Sequence, residues 1–275
     1  MSIWQAIVLG IVEGLTEFLP VSSTGHLTIT SKLLGQQIDD PAITAFTAVI
    51  QFGAIAAVVL FMWKDISRIV VAWFRGLVKP EYRGEFDHRM GWYVLVGSLP
   101  IGIVGFLAKD VISGPLRSLW WVAGSLIAWS FVMIAAERVG SRTRHLARIT
   151  FTDALVMGIV QCLALIPGVS RSGATMSAGL FRGLDRVAAT RMAFLLGIPA
   201  LIGAAIFELK DALNGDVGLV PVLVGTVVSF VVAYASVAWL LKFVVRHSIE
   251  VFAFYRILLG IVLLILLATS TITAT

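Results

Sequence analysis

Glu13 and Glu17 lie four residues apart in a run that is otherwise largely apolar. On a helix that spacing sends both carboxylates out of one face. An ionisable group in an apolar segment costs roughly 3 kcal/mol on insertion scales, so each needs a partner or a chemical task. Ser22, Ser23, Thr24 and His26 follow closely, and Ser170, Arg171, Ser172 and Thr175 form a second polar cluster far along the chain. Ser23 and His26, three apart at the start of a helix, can bring a hydroxyl and an imidazole to one substrate. Arg171 adds a guanidinium suited to phosphate oxygens, and Ser22, Thr24, Ser170, Ser172 and Thr175 add hydroxyl donors. These residue types together suit a phosphate or diphosphate and its transfer. Two carboxylates beside an anion would repel it. Either a divalent cation bridges carboxylate and phosphate oxygens, or a carboxylate is kept protonated or used as a proton acceptor. Taken alone, each residue has a plainer use, a serine at a helix start capping more often than it reacts. Their convergence is what argues for chemistry.

The elements that must position these side chains are membrane elements. The chain of 275 residues is 59% hydrophobic and 13% charged, against about 25% charged in a soluble domain. Six stretches, at about 42–62, 91–108, 119–136, 187–207, 219–241 and 251–269, are apolar over the length needed to cross a bilayer. The N-terminus lacks a basic leader and carries Glu13 and Glu17 in its apolar run, which reads as a segment retained in the mature protein. The single cysteine, Cys162, excludes an internal disulfide and a thiolate metal cluster. The net charge of +5 does not point to nucleic acid, because the cations sit in loops between apolar spans, where they act as topology signals beside anionic membrane lipids.

Shifting the sequence by 148 residues aligns 6–26 with 154–174 without a gap and with nine identities, among them Gly10/Gly158, Val21/Val169, Ser22/Ser170 and Gly25/Gly173. The same offset pairs Ala45/Ala193, Phe46/Phe194 and Ile50/Ile198, which argues for duplication. Each copy opens with an apolar segment broken at its middle, around Pro20 and around Pro167-Gly168. Pro and Gly stop a helix and Ser can cap the next, so residues 3–34 and 153–182 read as re-entrant helix-break-helix hairpins. Broken backbone at that depth must be buried in protein or line a wet cavity. The expected fold is an all-α polytopic membrane protein: six transmembrane helices plus two re-entrant hairpins in an inverted-topology repeat, one membrane domain over 1–275, with repeats at about 1–148 and 149–275. Three spans separate the hairpins, so they enter from opposite faces and their breaks meet near the midplane, where helix N-termini attract anions. Fifteen Lys and Arg residues, including Arg68, Arg75, Arg138, Arg144, Arg186 and Arg246, fall on one side; Lys32, Lys109, Arg117 and Lys210 fall on the other. The rich side is expected in the cytoplasm, with both termini outside. The stretch 66–78, with Trp73, Phe74 and Arg75, reads as an amphipathic segment on the cytoplasmic interface.

The two clusters also carry a resemblance. Glu13-Gly-Leu-Thr-Glu17-Phe-Leu-Pro-Val-Ser-Ser23-Thr-Gly-His26 and Pro167-Gly-Val-Ser-Arg171-Ser-Gly-Ala-Thr175 resemble the two signature motifs of the undecaprenyl-diphosphate phosphatase family of the bacitracin-resistance type. The likeness extends over essentially the whole chain, including Val49-Ile-Gln51-Phe-Gly. It implies hydrolysis of undecaprenyl diphosphate to the monophosphate carrier of cell-wall synthesis, with a divalent cation, Mg2+ or Ca2+, in the bacterial inner membrane and with the site open to the outer face. By motif position Ser23 resembles the nucleophile, Arg171 the phosphate clamp, and Glu17 and His26 the acid/base and metal-linked groups, with Glu13 and Gln51 in support. The group that takes the serine proton stays open, as does oligomeric state, a homodimer included. The rival reading is a transporter or lipid flippase, since inverted repeats with broken helices are also a transporter plan. A transporter has no need of a Ser/His pair beside Arg171.

Overall fold

The computed structural model describes residues 1–37, 40–108, 111, 118–213 and 218–274, the side chains of residues 41 and 207–213 aside. Its regular elements, among the described residues, are α-helices and short 3-10 turns. The first apolar run forms α1 (Ile3–Thr16), stops, and resumes as α2 (Ser23–Leu33). The stop is local: Pro20 has no amide hydrogen to continue the ladder, and Ser22 takes a φ of 78°. Ser22 Oγ then accepts from the Gly25 amide at 3.4 Å and caps α2. The second run behaves alike. α7 (Phe151–Gln161) gives way to the turn Cys162–Leu165 and Pro167-Gly168, and Ser170 takes a φ of 74°. Ser170 Oγ accepts from the Gly173 amide at 3.2 Å at the head of α8 (Arg171–Phe181). With 14, 11, 11 and 11 residues, none of these four helices has the ~20 residues that cross a hydrocarbon core.

The other long helices are α3 (Pro41–Phe61), α5 (Phe86–Leu107), α6 (Leu119–Val139), α9 (Arg186–Leu213), α10 (Leu219–Arg246) and α11 (Glu250–Ala268). These supply the 6 helices long and apolar enough to span a membrane, at the six expected places. α10 runs past the expected residue 241 and carries Lys242 and Arg246 there, cations that can reach the headgroup region. Leu95, Leu99, Ile103 and Phe106 of α5 and Leu223, Val227 and Val231 of α10 form exposed stripes at helical spacing. Such stripes need lipid as their solvent; the chain is a multi-pass membrane protein. α4 (Trp63–Val78) buries Ile69, Ala72 and Gly76 and exposes Lys64, Arg68 and Arg75 beside the apolar Val70, Phe74 and Leu77, a mix of cations and apolar side chains suited to a membrane interface. Lys109 and Arg117, counted above on the cation-poor side, lie outside the described residues, as does the side chain of Lys210.

The offset of 148 relates more than residue types. Capping boxes open α1 (Ser2 with Gln5) and α7 (Thr150 with Asp153) at equivalent positions, and the positive-φ serines of the two breaks, Ser22 and Ser170, are equivalent as well. Gly10 of α1 meets the Gly225 carbonyl of α10, where an added Cβ would lie 2.6 Å from the oxygen. Its equivalent, Gly158 of α7, meets the Gly97 carbonyl of α5 at 1.9 Å. Only glycine permits such approaches. Each short helix is thereby packed on a long helix from the other half of the chain, α1 on α10 and α7 on α5.

Candidate active site

The two breaks meet, and Ser23 and Arg171, equivalent under the offset, open the helices that leave them. Ser23 Oγ donates to Glu17 Oε2 at 2.5 Å, and Arg171 Nη2 donates to Glu17 Oε1 at 3.2 Å. One carboxylate thus joins the hydroxyl of the first hairpin to the guanidinium of the second. Arg171 is 10% exposed, lies 5.8 Å from the Phe18 ring centroid and, among the described residues, keeps its Nε and Nη1 buried without a partner. A buried donor left unmade costs about 1–3 kcal/mol, and two on one guanidinium call for an acceptor such as phosphate oxygens. Glu13, 1% exposed, likewise holds a buried Oε1 with no partner among the described residues. Glu13, Ser23, Thr24 and Gln51 wall a cavity of about 220 Å³, which continues along Thr28 and Ser31 of α2 and Thr44 and Thr47 of α3. A wider hollow of about 630 Å³ among Arg142, Arg186, Arg191 and Val244 offers no hydroxyl or thiol; the candidate nucleophile Ser23 lies on the smaller one.

The expected residues make different contacts. His26 does not face the Ser23 hydroxyl: its Nδ1 is 2.7 Å from the Ser22 carbonyl and its Nε2 2.7 Å from the Tyr255 hydroxyl, with the two rings stacked. A carbonyl only accepts, so Nδ1 carries the hydrogen and Nε2 accepts from Tyr255. The partner of Ser23 is Glu17, and His26 braces the break. Four expected substrate hydroxyls are engaged within the protein. Ser22 and Ser170 cap their helices, Ser172 donates to the Leu19 carbonyl at 2.9 Å, and Thr175, fully buried, donates to the Arg171 carbonyl at 2.8 Å. Helix-start serines and intrahelical threonines bond locally by preference, which residue type alone does not reveal. Thr24 stays on the cavity.

Arg256, absent from the sequence reading, is fully buried on α11. It donates to the Pro20 carbonyl at 3.1 Å, the Gly168 carbonyl at 2.8 Å and Ser130 Oγ at 3.2 Å. The signal for it was an arginine inside the apolar stretch 251–269.

Among the described residues no three His, Cys, Asp or Glu side chains gather to hold a metal, so a cation here would not be caged by protein alone. Glu13, Glu17 and the Gln51 amide oxygen are hard oxygen donors, and the unpartnered Oε1 of Glu13 is free for one. One or two carboxylates completed by substrate phosphate oxygens is the ordinary mode for Mg2+; the residues present fit such an ion.

Gly197 of α9 sets the place of Arg171. A Cβ added there would fall 1.4 Å from Arg171 Nη1. Gly197→Ala is therefore expected to displace the guanidinium and lower turnover by about 100-fold, the scale of a ~1 Å misplacement, with the melting temperature nearly unchanged. Full turnover in a folded Gly197→Ala protein would show that the guanidinium is not needed where it lies.

Broken helices joined by a Ser-Glu-Arg chain beside a hydroxyl-lined cavity define a helical membrane protein with a candidate anion site at the meeting of its two breaks. The family model for bacitracin resistance protein BacA matches residues 6–262, and the chain belongs to that family. It is 56% identical to undecaprenyl-diphosphatase 3 of Frankia casuarinae over 100% of both chains. It is likewise 56% identical to undecaprenyl-diphosphatase 1 of Streptomyces avermitilis over 99% of each, and 51% identical to undecaprenyl-diphosphatase of a Mycobacterium species over 100% of each.

Proposed function

We propose that this protein is an undecaprenyl-diphosphate phosphatase, hydrolysing the lipid diphosphate to the monophosphate carrier and inorganic phosphate, and that it thereby confers bacitracin resistance. The observation that carries the reading is the buried guanidinium of Arg171, two of whose donors lack an acceptor, one carboxylate away from the Ser23 hydroxyl. Ser23 Oγ attacks the terminal phosphorus while its proton passes to Glu17 Oε2, already its hydrogen-bond acceptor. The bond from phosphorus to the bridging oxygen breaks and the prenyl monophosphate leaves. The departing monophosphate takes up the proton from Glu17; water then attacks the phosphoserine, passing a proton through Glu17 to the Ser23 oxygen as the bond from phosphorus to Ser23 breaks and phosphate departs. Arg171 and the helix N-termini at Ser23 and Arg171 take up charge on the phosphoryl oxygens. A divalent cation, held by Glu13 and Glu17 with Gln51 nearby, would supply charge neutralisation at the diphosphate. Purified protein in detergent is expected to release phosphate from undecaprenyl diphosphate with Mg2+ or Ca2+, and to stop on chelation. Lipid binding without any release would favour the carrier reading instead.

The inverted repeat supplies the orientation. With the cation-rich ends in the cytoplasm, the first hairpin enters from the outer face, the second from the cytoplasm, and the cavity opens outward in the inner membrane. Single cysteines at Gln37 and Thr143, both exposed, in a Cys162→Ser background, are expected to react with impermeant reagents from opposite sides of the membrane. Labelling of both from one side would remove the inverted arrangement.

A further inference from the structure

We propose that Arg256 is a positioning residue for phosphoryl transfer, one guanidinium that sets the spacing between the two breaks. The inference rests on the phosphatase reading above. Its neighbours are specific: Nη1 takes the carbonyl of Pro20 and Nη2 that of Gly168, positions related by the 148-residue offset. Each carbonyl lies two residues before the serine of positive φ that opens the next helix. The fork therefore grips both strained turns at matching points, and its planar geometry fixes their separation in a way a single-point donor cannot. The first turn of α8 also rests on it, since a Cβ added at Gly173 would lie 3.4 Å from Nη1.

Among the described residues no carboxylate pairs with Arg256; its partners are two carbonyls and the Ser130 hydroxyl. A fully buried guanidinium held by neutral dipoles leaves its positive charge uncompensated behind the helix N-termini that face the anion. The adjacent Tyr255 holds His26, which in turn donates to the Ser22 carbonyl. α11 thus grips the first break on both sides of Val21. The other bonds between the hairpins, Ser172 Oγ to the Leu19 carbonyl and Arg171 Nη2 to Glu17, are each a single contact that fixes no angle.

Arg256→Lys retains the charge and reaches one carbonyl but not two; Arg256→Gln is neutral, keeps one donor and is easier to bury. Both are expected to elute as folded protein and to lose about 100-fold in kcat while KM for undecaprenyl diphosphate stays within about threefold. Ser130→Ala, which leaves the fork intact, should retain most of its kcat. A readout independent of activity uses cysteines at Thr24 and Pro167, which wall the same cavity from the two breaks. A short bifunctional thiol reagent should join them efficiently with Arg256 present and several-fold more slowly in Arg256→Lys. Retained kcat in the folded variants, a loss confined to KM, unchanged cross-linking, or failure of both variants to fold would each overturn the positioning role. Absence of phosphate release from the wild-type protein would sink the phosphatase reading, leaving the cross-linking rate to judge whether Arg256 sets the spacing.

Discussion

Ser23→Ala is expected to abolish phosphate release, by about a thousandfold or more, while binding of the lipid diphosphate stays largely intact. The hydroxyl is the group that forms a bond to phosphorus, so its loss falls on the transition state. Ground-state affinity comes from elsewhere: Arg171, the helix N-termini and the cation. The neighbours make the contrast sharp. Ser22 is buried with its oxygen on the Gly25 amide, so Ser22→Ala should cost about 0.5–2 kcal/mol of stability as a lost cap and leave turnover per folded molecule high. Thr24 is exposed at the cavity wall, and Thr24→Ala should act mildly on KM. Trapping ³²P on the wild-type chain but not on Ser23→Ala, after acid quench, would identify the phosphoserine directly. Undiminished hydrolysis by Ser23→Ala would transfer the attack to a water activated by Glu17 and remove the covalent step.

How far this site could be read in advance depended on what each signal reports. The breaks were legible because Pro20 and Pro167-Gly168 interrupt apolar runs too short to span, and proline acts on backbone whatever the tertiary context. The six long helices were legible because lipid imposes length and apolarity on each separately. Partners were not legible. On sequence, Ser23 had His26 three residues on and Glu17 six back as candidate acceptors, and the break between Glu17 and Ser23 decided for Glu17 through a turn whose shape depends on Ser22 at φ 78°. Ser170, Ser172 and Thr175 looked like ligand donors because type shows capacity and not occupancy. Arg256 was missed for a different reason. Of the 21 Lys and Arg residues, only Arg171 and Arg256 belong to neither side of the charge count. A cation left over inside a span marks a buried task, and following that remainder would have found it.

Arg171→Lys is expected to lose about 100-fold in kcat/KM with folding intact, although it preserves the charge. Arg171 Nη2 already serves Glu17, so a clamp on phosphate must use the remaining donors, Nε and Nη1, both buried and without partners. A planar guanidinium can keep Glu17 on one N–H and hold its other N–H groups toward phosphoryl oxygens at fixed angles. Lysine brings three donors on one nitrogen, a point charge that must choose between Glu17 and substrate. The packing adds to the loss: Nη1 occupies the space where Gly197 would carry a side chain, and a shorter, unforked ammonium leaves it empty. If lysine instead pairs closely with Glu17, the proton acceptor of Ser23 is held by the wrong partner, and kcat should fall more than KM rises. Steady-state kinetics on the folded variant separates these terms. Near-wild-type turnover in Arg171→Lys would mean that charge alone suffices and that the unpartnered donors of Arg171 do not clamp phosphate.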